Sequence, residues 1–147
     1  MLVKKEILEC VAFILYKDDK EQFHYVGTAF FLGEYVEDIN KTFTYIVTAK
    51  HVIAGIKTKQ NDGNVYLRMN AKTGSTKLIL LNLEDWQFHE DDPYADAAVF
   101  FGPPDNGETE YKCFPFSGLA NVTILEKEEI GIGDEICLTG LFINHFQ

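Results

Sequence analysis

The chain is 147 residues long, with 46% hydrophobic and 14% aromatic residues, enough to bury a sizeable core and to fit a single domain by length. Its 23 acidic residues outnumber 13 basic ones, for a net charge of -10, and the basic residues form no run, which argues against a nucleic-acid partner. No segment approaches the roughly 18 consecutive apolar residues of a membrane-spanning helix, which argues against a membrane.

In chain order, the run at 11–16 is too short for a signal segment, is flanked by charges and lacks a small-residue cleavage site. Short β-branched and aromatic runs then alternate with turn signals, the pattern of an all-β barrel or sandwich. Strands are expected over 6–17, 23–32, 42–48, 64–70, 77–83 and 97–101. The intervening KDDKEQ, GEYVEDINK, KQNDGN and AKTGST carry the Gly, Asn or Asp that tight reversals need. Such short loops imply antiparallel neighbours. Helix is expected only as a short turn after the strand YIV, in YIVTAKHVI, where it carries His51.

After Phe101 the texture changes. GPPDNGET opens an irregular stretch that reads as a connector, and a seventh apolar strand is expected over 135–143. The fold class is therefore all-β: a six-stranded antiparallel β-barrel, a connector and the first strand of a second, incomplete barrel. The corresponding units are residues 1–104, 105–130 and 131–147.

Cys10, Cys113 and Cys137 are odd in number, far apart and free of CxxC or Cys/His metal spacing, which fits a reducing compartment and a cytoplasmic protein. No metal and no other cofactor is expected. The acidic run His89–Asp92, with Glu84 and Asp85 nearby, lacks the spacing of a calcium loop and reads as a solvated loop. GIGD at 131–134 lacks the Lys-Ser/Thr of a phosphate loop. His24 and His145 read as packing or strand-edge residues, Cys137 as a small buried residue in the last strand, and Trp86 as core or barrel cap.

Asp96 stands immediately before the apolar run AAVFF, where a carboxylate can sit at the rim of a core and orient an imidazole. A general-base histidine needs such an acceptor at Nδ1–H, to hold its tautomer and stabilise the imidazolium formed during proton transfer. Taken by themselves, His51 and Asp96 fit that pairing and also fit two polar residues at strand ends.

The ordered combination GTAFFLG, YIVTAKHVI, DAAVFF and GIGDEICLTGLF resembles a trypsin-like serine peptidase of the chymotrypsin fold, over about residues 20–143. His51 and Asp96 are 45 residues apart, the separation the pair has in the prototype of that family. Val52 stands where secreted members carry a cysteine, so the likeness is to the non-disulfide, intracellular bacterial style. The resemblance implies that His51 is the general base and Asp96 its buried orienting partner, held by main-chain N–H groups near Lys50 and His51. It also implies that Thr28, Ala29 and Phe30 form the strand packed beneath His51. Lys50 departs from the small residue more often found before the histidine.

The resemblance further calls for a serine in a Gly-rich frame downstream of Asp96. Only Ser75, in a turn before Asp96, and Ser117, in the connector, are present, and neither has that frame. Two packed barrels also run to about 200–250 residues. The chain is thus expected to be the N-terminal part of a serine endopeptidase acting on polypeptides, inactive alone because nucleophile and oxyanion hole are absent. The alternative is a non-catalytic β-barrel that pairs a peptide or a partner strand along an edge over 135–146, whereas a fragment is expected to leave that strand poorly packed or self-associated with a second copy.

Overall fold

The computed structural model describes residues 5–138. Its strands are β1 (Val11–Lys17), β2 (Phe23–Val36), β3 (Lys41–Thr48), β4 (Asn64–Asn70), β5 (Thr76–Asn82), β6 (Trp86–Phe88), β7 (Ala98–Phe101) and β8 (Phe114–Pro115). Two helices accompany them, α1 (Lys50–Lys57) and α2 (Val122–Lys127). The strands form one sheet in the order β5-β4-β1-β2-β3-β7-β6, with β8 added beside β2. All pairings are antiparallel except β2 with β8. The sheet curls into a half-barrel. Its two end strands, β5 and β6, are successive in the chain and joined only by the 3₁₀ turn Leu83–Asp85.

Side chains alternate across each strand, and the period-two pattern fills the concave side. Ile14, Phe31, Ile46, Val65 and Leu67 are fully enclosed there, together with Ile53 and Ile56 of α1. Trp86 lies in the same core, in agreement with its expected place. The interior strand β1 is covered on both sides: Ala12 and Ile14 face the core, while Phe13 and Leu15 join Tyr66 in a second cluster on the convex face.

Several expected bounds are corrected. Residues 6–10, placed in the first strand, belong to the 3₁₀ helix Lys5–Cys10, where Cys10 Sγ bonds back to Glu6 O instead of to a neighbouring strand. The second strand runs four residues past Leu32 to Val36. Glycine at 33 permits this: a Cβ there would lie 2.8 Å from Cys113 Cβ, so the crossing β8 needs a bare backbone at that point. The connector carries β8 and α2, and its residues 108–112 are bound to the rest of the fold. Glu110 N–H donates to Asn70 O at 2.8 Å, Lys112 N–H to Glu9 O at 3.0 Å, and ion pairs join Lys77 to Glu108 and Lys112 to Glu9. Of the strand expected over 135–143, residues 135–138 are irregular and the remainder lies outside the described residues. Cys137 is exposed rather than buried in a strand.

Candidate functional site

His51 is positioned by the end of β3 and the start of α1. Thr48, 5% exposed, donates its hydroxyl to Thr28 O at 3.0 Å, which ties the last residue of β3 to β2. The chain turns at Ala49 and enters α1, whose inward face is Val52, Ile53 and Ile56. Val52 fits where β2 has no side chain: a Cβ on Gly27 would lie 3.1 Å from Val52 Cγ1. Gly27 adjoins the irregularity in the β1–β2 register, between the pairs Ile14↔Gly27 and Leu15↔Tyr25. With that face buried against β2, His51 is left on the outside of the helix.

Asp96 reaches His51 through strand register. β3 and β7 pair antiparallel up to Thr48↔Ala98, which brings Asp96, two residues before Ala98, beside the start of α1, two residues after Thr48. Oδ1 of Asp96 accepts the main-chain N–H of His51 at 2.9 Å, and Oδ2 meets His51 Nδ1 at 2.6 Å. These bonds hold the carboxyl below the usual carboxylate range. The main-chain N–H of His51 is the largest cause, its ring is next, and the Lys50 N–H contributes less. An ionised carboxylate only accepts, so the proton of a neutral His51 ring sits on Nδ1 and the lone pair on Nε2.

The same carboxylate completes α1. Ala49 offers no side-chain cap, and Asp96 takes that place at the positive end of the helix dipole. The pair is open to water, with side chains 74% and 54% exposed, whereas the resemblance implies a buried carboxylate. Solvent screening therefore weakens the attraction relative to an enclosed pair.

A second His–Asp contact joins His24 Nε2 to Asp18 Oδ2 at 2.8 Å. Asp18 also accepts N–H groups of Lys20 and Gln22, both at 2.9 Å, so this pair closes the β1–β2 turn. His24 is a residue of β2, stacked on Tyr16, but its carboxylate partner escaped the sequence reading. The available signal was an Asp and a His facing each other across a hairpin. A short imidazole–carboxylate contact is thus no sign of chemistry by itself. His51 differs in being held at Nδ1, which leaves Nε2 outward.

Neither serine nor any cysteine of the described residues is hydrogen-bonded to His51. Ser75 shares a bond with Thr73 at 3.0 Å in the β4–β5 turn, and Ser117 lies in the 3₁₀ turn Phe116–Gly118. Cys10 donates to Glu6 O, and Cys113 lies 3.8 Å from Thr44 Oγ1. Burial pushes both thiols up, away from the reactive thiolate. Lys50 sits at the rim of the pair with its ammonium 6.0 Å from the Phe88 ring centre. In the acidic loop, His89 Nδ1 accepts Asp92 N–H at 2.9 Å, and among the described residues no group of three or more His, Cys, Asp or Glu could hold a metal ion.

No family model matches this chain, and no curated protein matches it either. Among the described residues, no helix is long and apolar enough to cross a membrane.

Proposed function

We propose that His51 and Asp96 are the general base and orienting carboxylate of a trypsin-like serine endopeptidase, cytoplasmic and acting on polypeptides. The observation that carries this reading is the double grip of Asp96 on the main chain and Nδ1 of His51, which leaves Nε2 as the base. In such a site Nε2 takes the proton of a serine hydroxyl as its oxygen attacks the peptide carbonyl. The imidazolium then gives that proton to the departing amine, and water repeats the cycle on the acyl group.

The sheet order supports a barrel of the chymotrypsin type. If β5, the turn Leu83–Asp85 and β6 count as one bent strand, that strand bonds β4 on one side and β7 on the other, closing six strands. Under the same reading, residues 1–104 are the barrel, 105–130 a connector and 131–147 the start of a second barrel. The nucleophile is then neither Ser75 nor Ser117, and the 147-residue chain alone hydrolyses no peptide bond.

Two measurements test the proposal. Nitrogen-15 NMR of the neutral His51 ring is expected to show a proton on Nδ1, and a predominant Nε2–H tautomer would sink the assignment. A serine-directed fluorophosphonate is expected not to label the chain. Labelling that disappears in His51→Ala would show that the nucleophile lies within these residues.

A second reading is a non-catalytic module that binds a peptide or partner strand. It is favoured by the capping of α1 by Asp96 and the exposure of both side chains, which together account for the contact without chemistry. Sedimentation of the full chain and of a variant lacking residues 130–147 tests it: this reading expects a monomer that the deletion unfolds, whereas a self-associated chain that the deletion turns into a folded monomer favours the fragment.

A further inference from the structure

Arg68 is the only arginine in the chain, and it stands on the convex face of the sheet in β4, next to the end strand β5. The register sets it between Phe13 on β1 and Leu78 on β5, and its guanidinium carbon lies 6.0 Å from the Phe13 ring centre. Leu15, Phe23, Tyr25 and Leu78 line a cavity of about 210 Å³ beside it. The walls are held by edge-to-face aromatic contacts, Phe13 on Tyr25 at 5.1 Å and Phe23 on Tyr66 at 5.0 Å. Phe23, Tyr25 and Leu78 remain 42%, 37% and 41% exposed.

The electrostatics of this groove are unbalanced. The neighbouring Lys77 is ion-paired with Glu108, but among the described residues no carboxylate or other hydrogen-bond partner engages Arg68. Arg68 is of intermediate exposure, its guanidinium lies over the Phe13 ring, and in a chain of net charge -10 no carboxylate of the described residues neutralises it. Its planar fork matches a carboxylate in two parallel bonds. Tyr and Arg around a hollow that a partner can cover are also the composition of protein-interface hot spots. The hollow is smaller than the roughly 300–1,000 Å³ of pockets that hold whole small molecules, and suits one side chain of a larger partner.

The geometry points to the Arg68 groove as a docking site for a peptide segment of a partner protein in which a carboxylate adjoins a large apolar side chain. The carboxylate pairs with Arg68 while the apolar side chain enters the hollow beside Leu15 and Leu78. This site lies on the convex face, and it stands or falls independently of the peptidase reading.

The test is fluorescence anisotropy of the full chain with a short fluorescein-labelled peptide alternating glutamate with leucine and phenylalanine, and with its glutamine counterpart. The glutamate peptide is expected to bind about tenfold tighter, Arg68→Gln to remove that difference, and Arg68→Lys to restore part of it. Added salt is expected to weaken the glutamate peptide more than the glutamine one. Equal binding of the two peptides, no binding of either, or undiminished preference in Arg68→Gln would overturn the proposal. The comparison between peptides needs no variant, so it stands even if a substitution unfolds the chain. Self-association of the unaltered chain that Arg68→Gln abolishes would overturn it as well, by giving the groove to a second copy.

Discussion

Asp96 holds His51 by two different oxygens, Oδ1 on the main-chain N–H at 2.9 Å and Oδ2 on ring Nδ1 at 2.6 Å. The first bond secures the start of α1, and the second sets the ring. One side chain therefore fixes both where the imidazole stands and which nitrogen faces outward.

The two roles separate by substitution. Asp96→Asn keeps an oxygen that can accept the His51 N–H, whereas Asp96→Ala keeps none. Amide exchange at Lys50 and His51 is expected to stay near that of the unaltered chain with Asn and to quicken roughly fivefold with Ala, the usual scale of a lost helix cap. Equal quickening in both variants would show that the amide bond does not hold the turn.

Acid is expected to loosen both His–Asp contacts. Asp18, through its His24 hydrogen bond first, and Asp96, through the His51 main-chain N–H first, have carboxyl groups held below their ordinary values. A folded-state value below the unfolded one contributes stability that is present above about pH 4 and fades as pH falls through the folded value. Urea midpoints measured from neutral to strongly acid pH should therefore drop more steeply in the unaltered chain than in Asp18→Asn or Asp96→Asn. Parallel curves would show that neither carboxyl is linked to folding.

Tyr66 makes the opposite prediction at high pH. Its phenol is pushed up to about 12, first by burial and then by its bond to Asp62 Oδ2 at 2.7 Å. The neutral phenol is the form the fold stabilises, so this contribution is complete below the unfolded value of about 10 and is lost as pH rises from there toward the folded value. Ultraviolet titration should show the late-ionising tyrosinate disappear in Tyr66→Phe. A titration unchanged by that substitution would place the late group elsewhere.

Gly33→Ala is expected to destabilise by about 1–3 kcal/mol, the cost of overpacking a filled site. The new methyl would meet the Cβ of Cys113 at 2.8 Å, close to the backbone of the crossing segment. Loss of amide protection should centre on Phe114, whose strand pairs in parallel with Leu32 and Gly33. A neutral substitution with Phe114 protection intact would mean that the segment slides without cost.

The legible parts of the fold are those where a local period meets clear turn signals. β4 was expected over 64–70 and found as Asn64–Asn70, because Val65, Leu67 and Met69 alternate cleanly between KQNDGN and AKTGST. β6 is only three residues long and exists through its pairing with β7, so no period could announce it. α2 had only its cap as a signal: Asn121 accepts Ile124 N–H at 2.9 Å, while the β-branched Val122, Thr123 and Ile124 that follow favour a strand. Arg68 stood out to no motif, because its lack of an acidic neighbour is a property of the convex face and not of NVYLRMN.

Sequence alone determined the β character of the chain, most of its strand limits and the candidacy of His51 and Asp96, because side-chain alternation and turn chemistry are local. Only the tertiary structure decided that these two residues touch, that Asp18 already engages His24, and that the connector is bound to the sheet. The reason is that hydrogen-bond register joins residues far apart in the chain. Thr48↔Ala98 brings Asp96 to the start of α1, and a one-residue slip would turn every side chain of β7 to the other face.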